Sequence, residues 1–338
     1  MSGDRKRIMD LMLIDCERVA NLISDFIQRK MKEERRDGVC IGISGGLDSS
    51  VAAVLAVRAT GDPLNVHGLN LYDRDSAGKY REYAGRFARD LGIRFSSMDI
   101  SPRVRAEGTY KPLIMRLVPY SRIINEMILL SNKVASTVFY RETPFVMTLK
   151  RVDPKRIRFG SFAGIAKNIE NGFNTRHIQR RAILEEYSRE HKLLLIGAAN
   201  RSESFVGWFV KDGVDDLPVE TLLGLYKNQV RQLARYLDVP EFIVSQAPSP
   251  DMFRGIGDEE LIGHKYDVID RVAYAVEHGL HEELLIDEGV SREEIEHIKR
   301  LHELAAWKRE NQHEFPSIEV PPIMQRASLP TQSESGNE

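Results

Sequence analysis

Cysteine is nearly missing from this chain: Cys16 and Cys40 are the only two in 338 residues. A disulfide framework, a cysteine-rich zinc site and a cysteine-ligated iron–sulfur cluster are thereby excluded. No uninterrupted apolar run of about 20 residues is present, so no membrane-spanning helix is expected. The opening MSGDRKR lacks the apolar core of a signal peptide, and a cytoplasmic protein is the expectation. An excess of one charge is also missing. Lys and Arg number 48 against 50 Asp and Glu, a net charge of −2. No global positive field exists to collect phosphates, so neither nucleic acid nor membrane is expected as a partner. The nine histidines show no paired metal-ligand spacing, and His177 reads as a surface residue.

What is present suits a globular α/β protein. Apolar residues make up 42% and charged residues 29%, an ordinary balance. At about 150 residues per domain the length allows two domains, or one large α/β domain with additions. The periodicity predicts one amphipathic helix from about Arg7 to Arg35. Val39–Ile43 is a short apolar run that fits a buried parallel strand. Further strands are predicted at Val66–Leu71, Ile93–Ile100 and Lys192–Ile196, and helices at Ala77–Leu91 and Arg180–His191. The alternation predicts a doubly wound parallel sheet flanked by helices. The stretch 110–169 breaks the rhythm and reads as an inserted helical segment or lid. We expect a single domain over residues 1–320, with C-terminal helices over 264–320 and a disordered tail over 321–338.

The strongest motif is Ser44-Gly45-Gly46-Leu47-Asp48-Ser49-Ser50, between a strand and a helix. Glycines let the backbone approach an anion, and the amides of a helix start hold phosphate oxygens. Ser44 and Ser49 add hydroxyls, and Asp48 suits Mg²⁺ bridging to the phosphates. No Gly-Lys-Ser/Thr follows, so this is not a Walker-type loop. A second segment, Gly197-Ala198-Ala199-Asn200-Arg201-Ser202-Glu203, follows a strand end, where ligands bind in such sheets. Glu203 there can give the metal a second carboxylate, and by itself the segment also fits a plain N-capped helix start. Third, the helix predicted over Leu225–Leu237 carries Lys227 near its start, an unfavourable place for a cation unless an anion is near. Fourth come Pro248-Ser249-Pro250-Asp251-Met252 and the acidic run Asp258-Glu259-Glu260. Trp208 and Phe209, ahead of Lys211, suit either the core or a stacking wall for a ring.

The first loop resembles the pyrophosphate loop of ATP pyrophosphatases, and the four segments in this order resemble the NAD synthetase family. Trp307-Lys308-Arg309 is similar to that family's C-terminal His-Lys-Arg. The resemblance implies an adenine nucleotide alpha hydrolase-like fold and an ammonia-dependent, AMP-forming amide ligase. Its substrates would be ATP, ammonia and a carboxylic acid, nicotinic acid adenine dinucleotide foremost, with Mg²⁺ as the metal. Carried over residue by residue, Ser44, Gly45, Gly46, Asp48, Ser49, Lys227 and Ser249 bind ATP. Asp48 and Glu203 hold Mg²⁺; Asn174, Arg180 and Lys211 bind the acid; and Asp48, Lys227 and Lys211 are catalytic. The resemblance further implies a homodimer.

The chain departs from the family pattern at four places. Ala198 replaces a threonine, Ile178 an arginine with Arg176 nearby, Val214 an aspartate with Asp215 or Asp216 adjacent, and Ile256 a glutamine. These changes, with the longer 110–169 stretch, leave open a different carboxylic acid as substrate, or a nucleotide-binding role without turnover. Residues 1–38 are too few for a glutaminase domain, so nitrogen is expected from free ammonia or a separate glutaminase subunit. Cys16 in a helix and Cys40 in a strand read as structural, not as nucleophiles.

Overall fold

Val39, Cys40 and Ile41 lie at the centre of a parallel sheet, with a partner strand on each side. In the computed structural model, residues 7–112, 115–116, 130, 142–150, 160–249 and 256–318 are described. The strands are β1 (Gly38–Gly42), β2 (Val66–Tyr72), β3 (Arg94–Asp99) and β4 (Leu193–Ile196), in the order β3-β2-β1-β4. All pairings are parallel, and Cys40 stands opposite both His67 and Leu195. Strand alternation sends Val39 and Ile41 to one core, with the helices Cys16–Glu33, Leu47–Thr60, Gly78–Leu91 and Lys227–Tyr236. Cys40 faces the opposite side, toward Ile183 and Leu184 of the helix Gly160–Glu190. Burial pushes the Cys40 thiol up to about 12, so it packs as a small apolar group. Short parallel bridges, Gly197 to Glu220 and Val219 to Glu314, continue the pairing beyond β4.

The N-terminal segment is not one helix. A short helix, Ile8–Leu11, precedes Cys16–Glu33. The break falls where the Asp15 carboxylate accepts a bond from the Arg18 amide at 3.1 Å and caps the second helix. The first piece then turns away, and Ile8 and Met12 join a separate helical core with Tyr266, Ile269 and Leu301. That core is built by the C-terminal helices Asp258–Ile262, Tyr266–Glu277, Glu282–Asp287 and Arg292–Leu304.

The predicted helix Arg180–His191 is the last part of a much longer one, Gly160–Glu190. Gly172 within it permits close packing, since a Cβ there would meet the Met115 side chain at 2.8 Å. Within the 110–169 stretch a short helix, Pro144–Leu149, is seen. Most of the rest of that stretch, the tail 321–338 and Pro250, Asp251 and Met252 lie outside the described residues. Among the described residues, no helix is long and apolar enough to cross a membrane.

Candidate active site

The chain leaves β1 and β4 in opposite directions across the sheet, because β2 and β3 lie on one side of β1 and β4 on the other. A crevice opens at the carboxyl ends of strands at such a switch point. The loop after β1 enters it as Ser44–Gly46 and continues into the helix Leu47–Thr60. Gly45 adopts φ +82°, and a Cβ there would lie 2.3 Å from the Tyr80 carbonyl oxygen. Only glycine accepts both conditions. The turn's acceptors are satisfied internally: Ser50 Oγ donates to the Gly46 carbonyl at 2.8 Å, and the Gly46 amide donates to Ser44 Oγ at 3.2 Å. Ser44 and Ser49 hydroxyls lie 3.0 Å apart. The first amides of a helix have no intrahelical acceptor, so this turn suits an anion.

The loop after β4 brings Asn200 and Glu203 to the same crevice. The Asn200 side chain accepts from the Glu203 amide at 3.0 Å and caps the helix Arg201–Val206. Its Nδ2 also donates to Asp48 Oδ1 at 3.1 Å. One residue therefore serves as helix cap and as the link between the two loops.

Lys227 closes the group from the start of the helix Lys227–Tyr236. Its Nζ donates to Asp48 Oδ2 at 2.6 Å and to Glu203 Oε1 at 2.9 Å, with the side chain only 3% exposed. The ammonium also lies 4.9 Å from the centre of the Tyr266 ring. Tyr266 Oη lies 3.2 Å from Glu203 Oε1 and 3.3 Å from Asp258 Oδ2. A buried support holds the helix start: the Lys227 amide donates to Ser202 Oγ at 2.8 Å, and the Asn228 amide to Asp270 Oδ2 at 2.8 Å.

The electrostatics follow from burial and charge. Burial alone would lower the Lys227 pKa, yet Asp48 and Glu203 raise it above the ordinary lysine range. Burial pushes Glu203 up to about 7, with Asp48 and Asp258 adding to the rise against the pull of Lys227. Asp258 is pushed up to about 6 by burial and by Asp48. Three carboxylates thus face one ammonium. Among the described residues no three His, Cys, Asp or Glu side chains are grouped as a metal cage. Mg²⁺ usually keeps waters and takes one or two protein carboxylates besides phosphate oxygens. The oxygen donors Asp48 and Glu203, with their excess of negative charge, fit that ion.

A cavity of about 800 Å³ extends from this group. Ser249, Asn174, Arg180 and Lys211 all line it. Ser249 Oγ donates to the Ile256 carbonyl at 3.4 Å. Arg180 is held by the Leu71 carbonyl at 2.9 Å and Asp73 at 3.3 Å. Lys211 Nζ is turned to the C-terminal segment, donating to the Trp307 carbonyl and Glu310 at 2.8 Å each. Trp208 lines the cavity, as does Phe209, whose side chain is largely buried.

Several features were not expected. His177 is buried, not at the surface: its Nδ1 lies 2.6 Å from Asp215 Oδ2, and its ring stacks on Phe173. Val214 packs beside the core around Leu184, while the Asp216 carboxylate pairs with His313 at 3.0 Å. Of the two aspartates next to Val214, Asp215 is therefore the one that pairs with the helix bearing Asn174 and Arg180, through His177. Arg176 is fully buried between Asp73 and Asp75, on the inner face of that helix, whereas Ile178 is exposed. Tyr266 and Asp270 carried no motif in the sequence. Glu220 is buried beneath the β4 loop, accepting from the Ala199 and Leu217 amides at 2.9 Å each.

A parallel sheet with a glycine turn suited to an anion and a carboxylate–lysine group at its switch point fits the adenine nucleotide alpha hydrolase-like class of α/β proteins. Comparison with known proteins narrows this. The family model described as NAD synthase matches residues 19–114 and 150–312. The NH(3)-dependent NAD(+) synthetase of Coprothermobacter proteolyticus is 34% identical over 263 residues, 76% of this chain and 84% of that protein. That of Thermotoga maritima is 31% identical over 285 residues, 84% of this chain and 94% of that protein. Among solved structures, NMN synthetase from Francisella tularensis shares the fold with a TM-score of 0.63 at 24% identity, covering 89% of this chain and 99% of that one. NH3-dependent NAD synthetase from Campylobacter jejuni does so with a TM-score of 0.58 at 21% identity, with the same coverage. The chain belongs to the NAD synthase family.

Proposed function

We propose that this protein is an ammonia-dependent NAD synthetase, a carbon–nitrogen ligase that converts nicotinic acid adenine dinucleotide (deamido-NAD) to NAD. The observation that carries the reading is the junction of Asp48, Glu203 and Lys227 beside the Gly45 turn. A carboxylate is a poor electrophile, and ATP activates it. A carboxylate oxygen of the acid attacks the α-phosphorus of ATP, the α–β bridging bond breaks, and pyrophosphate leaves. Ammonia then attacks the acyl carbon, loses a proton, and displaces AMP to leave the amide.

The chain's groups suit these steps. The amides after Gly45, with the Ser44 and Ser49 hydroxyls, receive the pyrophosphate oxygens. Lys227 stabilises the negative charge that grows on the leaving group, at a site where burial strengthens each charge. Asp48 and Glu203 would hold Mg²⁺, which when bound would neutralise phosphate charge. Ser249 serves the phosphate side of the cavity, and Asn174, Arg180 and Lys211 the acid.

We further infer a homodimer, with the long helix Gly160–Glu190 at or near its interface; Ile178 on that helix is 43% exposed. Gel filtration of the active enzyme at monomer mass would overturn that part. The function itself is tested by AMP, pyrophosphate and NAD release with ATP, Mg²⁺ and ammonium, with and without deamido-NAD. AMP and NAD in equal amounts, dependent on deamido-NAD, are expected. AMP formed only with another carboxylic acid would reassign the substrate, and ATP binding with no AMP under any acid would make the protein a nucleotide binder.

A further inference from the structure

The family match is interrupted between residues 114 and 150, yet part of that interval builds the cavity. The helix Pro144–Leu149 lies inside the interruption and places Phe145 and Thr148 on the cavity wall. It is firmly fixed. Thr143 Oγ1 accepts from the Val146 amide at 3.3 Å and caps it. Trp307 Nε1 donates to the Leu149 carbonyl at 2.9 Å, and Glu142 just before it accepts from Lys150 and Arg300 at 2.6 Å each. The helix packs against Asp258–Ile262 and Arg292–Leu304.

Phe145 does not stand alone on that wall. Its ring meets Trp208 edge-on, centroids 5.2 Å apart at 72°. Trp208 in turn neighbours Phe173 at 6.1 Å, and Phe173 stacks on His177 at 4.6 Å and 18°. Four rings from three separate segments therefore converge, in a chain with only 8% aromatic residues. The wall adjoins the reacting group, because Trp208 hydrogen-bonds Asp258, which shares Tyr266 with Glu203. A planar ring bound to such a wall would carry its carboxylate toward Lys227 and the anion-binding turn. Ring-on-ring contacts of this kind prefer a flat aromatic partner to an aliphatic one.

We propose that Phe145, supplied by the segment outside the family match, is a specificity-determining residue that with Trp208 and Phe173 receives the planar ring of the acid substrate. The inference rests on the reading of the protein as a ligase for an aromatic carboxylic acid. It assigns to the helix Pro144–Leu149 a part in choosing the acid.

The chain's only two tryptophans, Trp208 and Trp307, both touch the Pro144–Leu149 helix, so their fluorescence reports the wall without any turnover. Parent protein, Phe145→Leu and Phe145→Tyr are titrated with deamido-NAD and, separately, with ATP. Leucine keeps apolar bulk and removes the ring, and thermal unfolding verifies that each variant is folded. Expected are a deamido-NAD Kd about five- to tenfold weaker in Phe145→Leu and within about twofold of the parent in Phe145→Tyr, with ATP affinity unchanged in both. Equal deamido-NAD affinity in Phe145→Leu and the parent overturns the inference. So does a loss confined to ATP, which would assign the wall to adenine. Steady-state kinetics separates the two readings. A parent that binds deamido-NAD through Phe145 but never amidates it keeps the wall and overturns the synthetase reading. A parent that forms NAD with Phe145→Leu unaltered in KM keeps the synthetase reading and overturns the wall. A parent that neither binds nor amidates it overturns both.

Discussion

Lys227 Nζ and Asp48 Oδ2 lie 2.6 Å apart although 179 positions separate the two residues in the chain. The pair joins the start of one helix to the start of another, across the switch point of the sheet. Each helix start favours negative charge, so a buried lysine there needs carboxylates close by. Asp48 and Glu203 supply them.

Asp48→Ala should reduce AMP formation about 100-fold or more, since it removes the proposed metal donor and a charge from the group around Lys227. The fold should survive, because Glu203 still compensates Lys227. AMP release measured beside a thermal unfolding curve tests both halves. Normal Mg²⁺-dependent turnover in this variant would show that the active site lies elsewhere.

Lys227→Met should act differently. It leaves Glu203, Asp258 and Asp48 facing one another without a counter-charge, at a cost of about 3–5 kcal/mol near neutral pH. Acidification to about pH 5 should recover part of that loss, as the crowded carboxylates take up protons. Denaturant unfolding of the variant at pH 5 and pH 8 checks the sign. A variant as stable as the parent at pH 8 would contradict it.

Glu220 predicts a pH effect that is separable from catalysis. Burial raises its pKa from 4.5 to about 8. The folded state then holds its proton more tightly than the unfolded chain does. The associated stability is complete below pH 4.5 and is lost as pH rises to about 8. His264, whose pKa burial lowers to about 4, works in the opposite direction below 6.5. The quantity to measure is therefore the difference between Glu220→Gln and the parent. Glutamine cannot accept from both the Ala199 and Leu217 amides, so the variant should be less stable at pH 4.5. The gap should narrow or reverse by pH 8, and a gap independent of pH would remove Glu220 from this role.

Gly45→Ala should lose ATP affinity and stability together. The alanine Cβ would enter a left-handed conformation and approach the Tyr80 carbonyl oxygen to 2.3 Å. Backbone strain alone costs about 1–3 kcal/mol, and relieving the clash must move the turn proposed to hold the phosphates. Calorimetric ATP binding and the melting temperature test this; an unchanged ATP affinity would mean that the turn does not hold the phosphates.

Chelation of divalent cations should stop AMP formation and leave the melting temperature almost unchanged. Lys227 already lies between Asp48 and Glu203, so the metal-free fold retains a counter-charge. A large drop in melting temperature with EDTA would indicate a structural metal instead.

β1, β2 and β4 were legible because buried parallel strands read as short apolar runs between turns, whereas the edge strand β3 is exposed along most of its length and carries that signal only weakly. The turn from Ser44 to Ser50 was legible because its chemistry is local: two glycines, three hydroxyls and a helix start within seven consecutive positions. The Asn200 segment invited two readings, a helix cap or a ligand loop; its side chain does cap the helix, and it also ties the loop to Asp48. The break at Asp15 was hidden because the apolar spacing continues through it, while the capping carboxylate occupies one position. His177 was misplaced because a polar residue on a helix shows its burial only when its partner is known, and Asp215 lies 38 residues further on.

The sequence by itself determined the four strands, most of the helices, the glycine turn after β1 and the inventory of carboxylates and lysines. Those properties depend on neighbours within about one turn of chain, where sterics and hydrogen bonding are local. Only the tertiary structure decided which charges meet. Lys227 selects Asp48 and Glu203 because the sheet order places β4 beside β1, and Phe145 reaches Trp208 because its helix is pinned by Trp307 and Arg300. Burial then shifts Glu203 and Asp258 toward neutral pH, since the energy of a charge depends on what surrounds it and not on what precedes it in the chain.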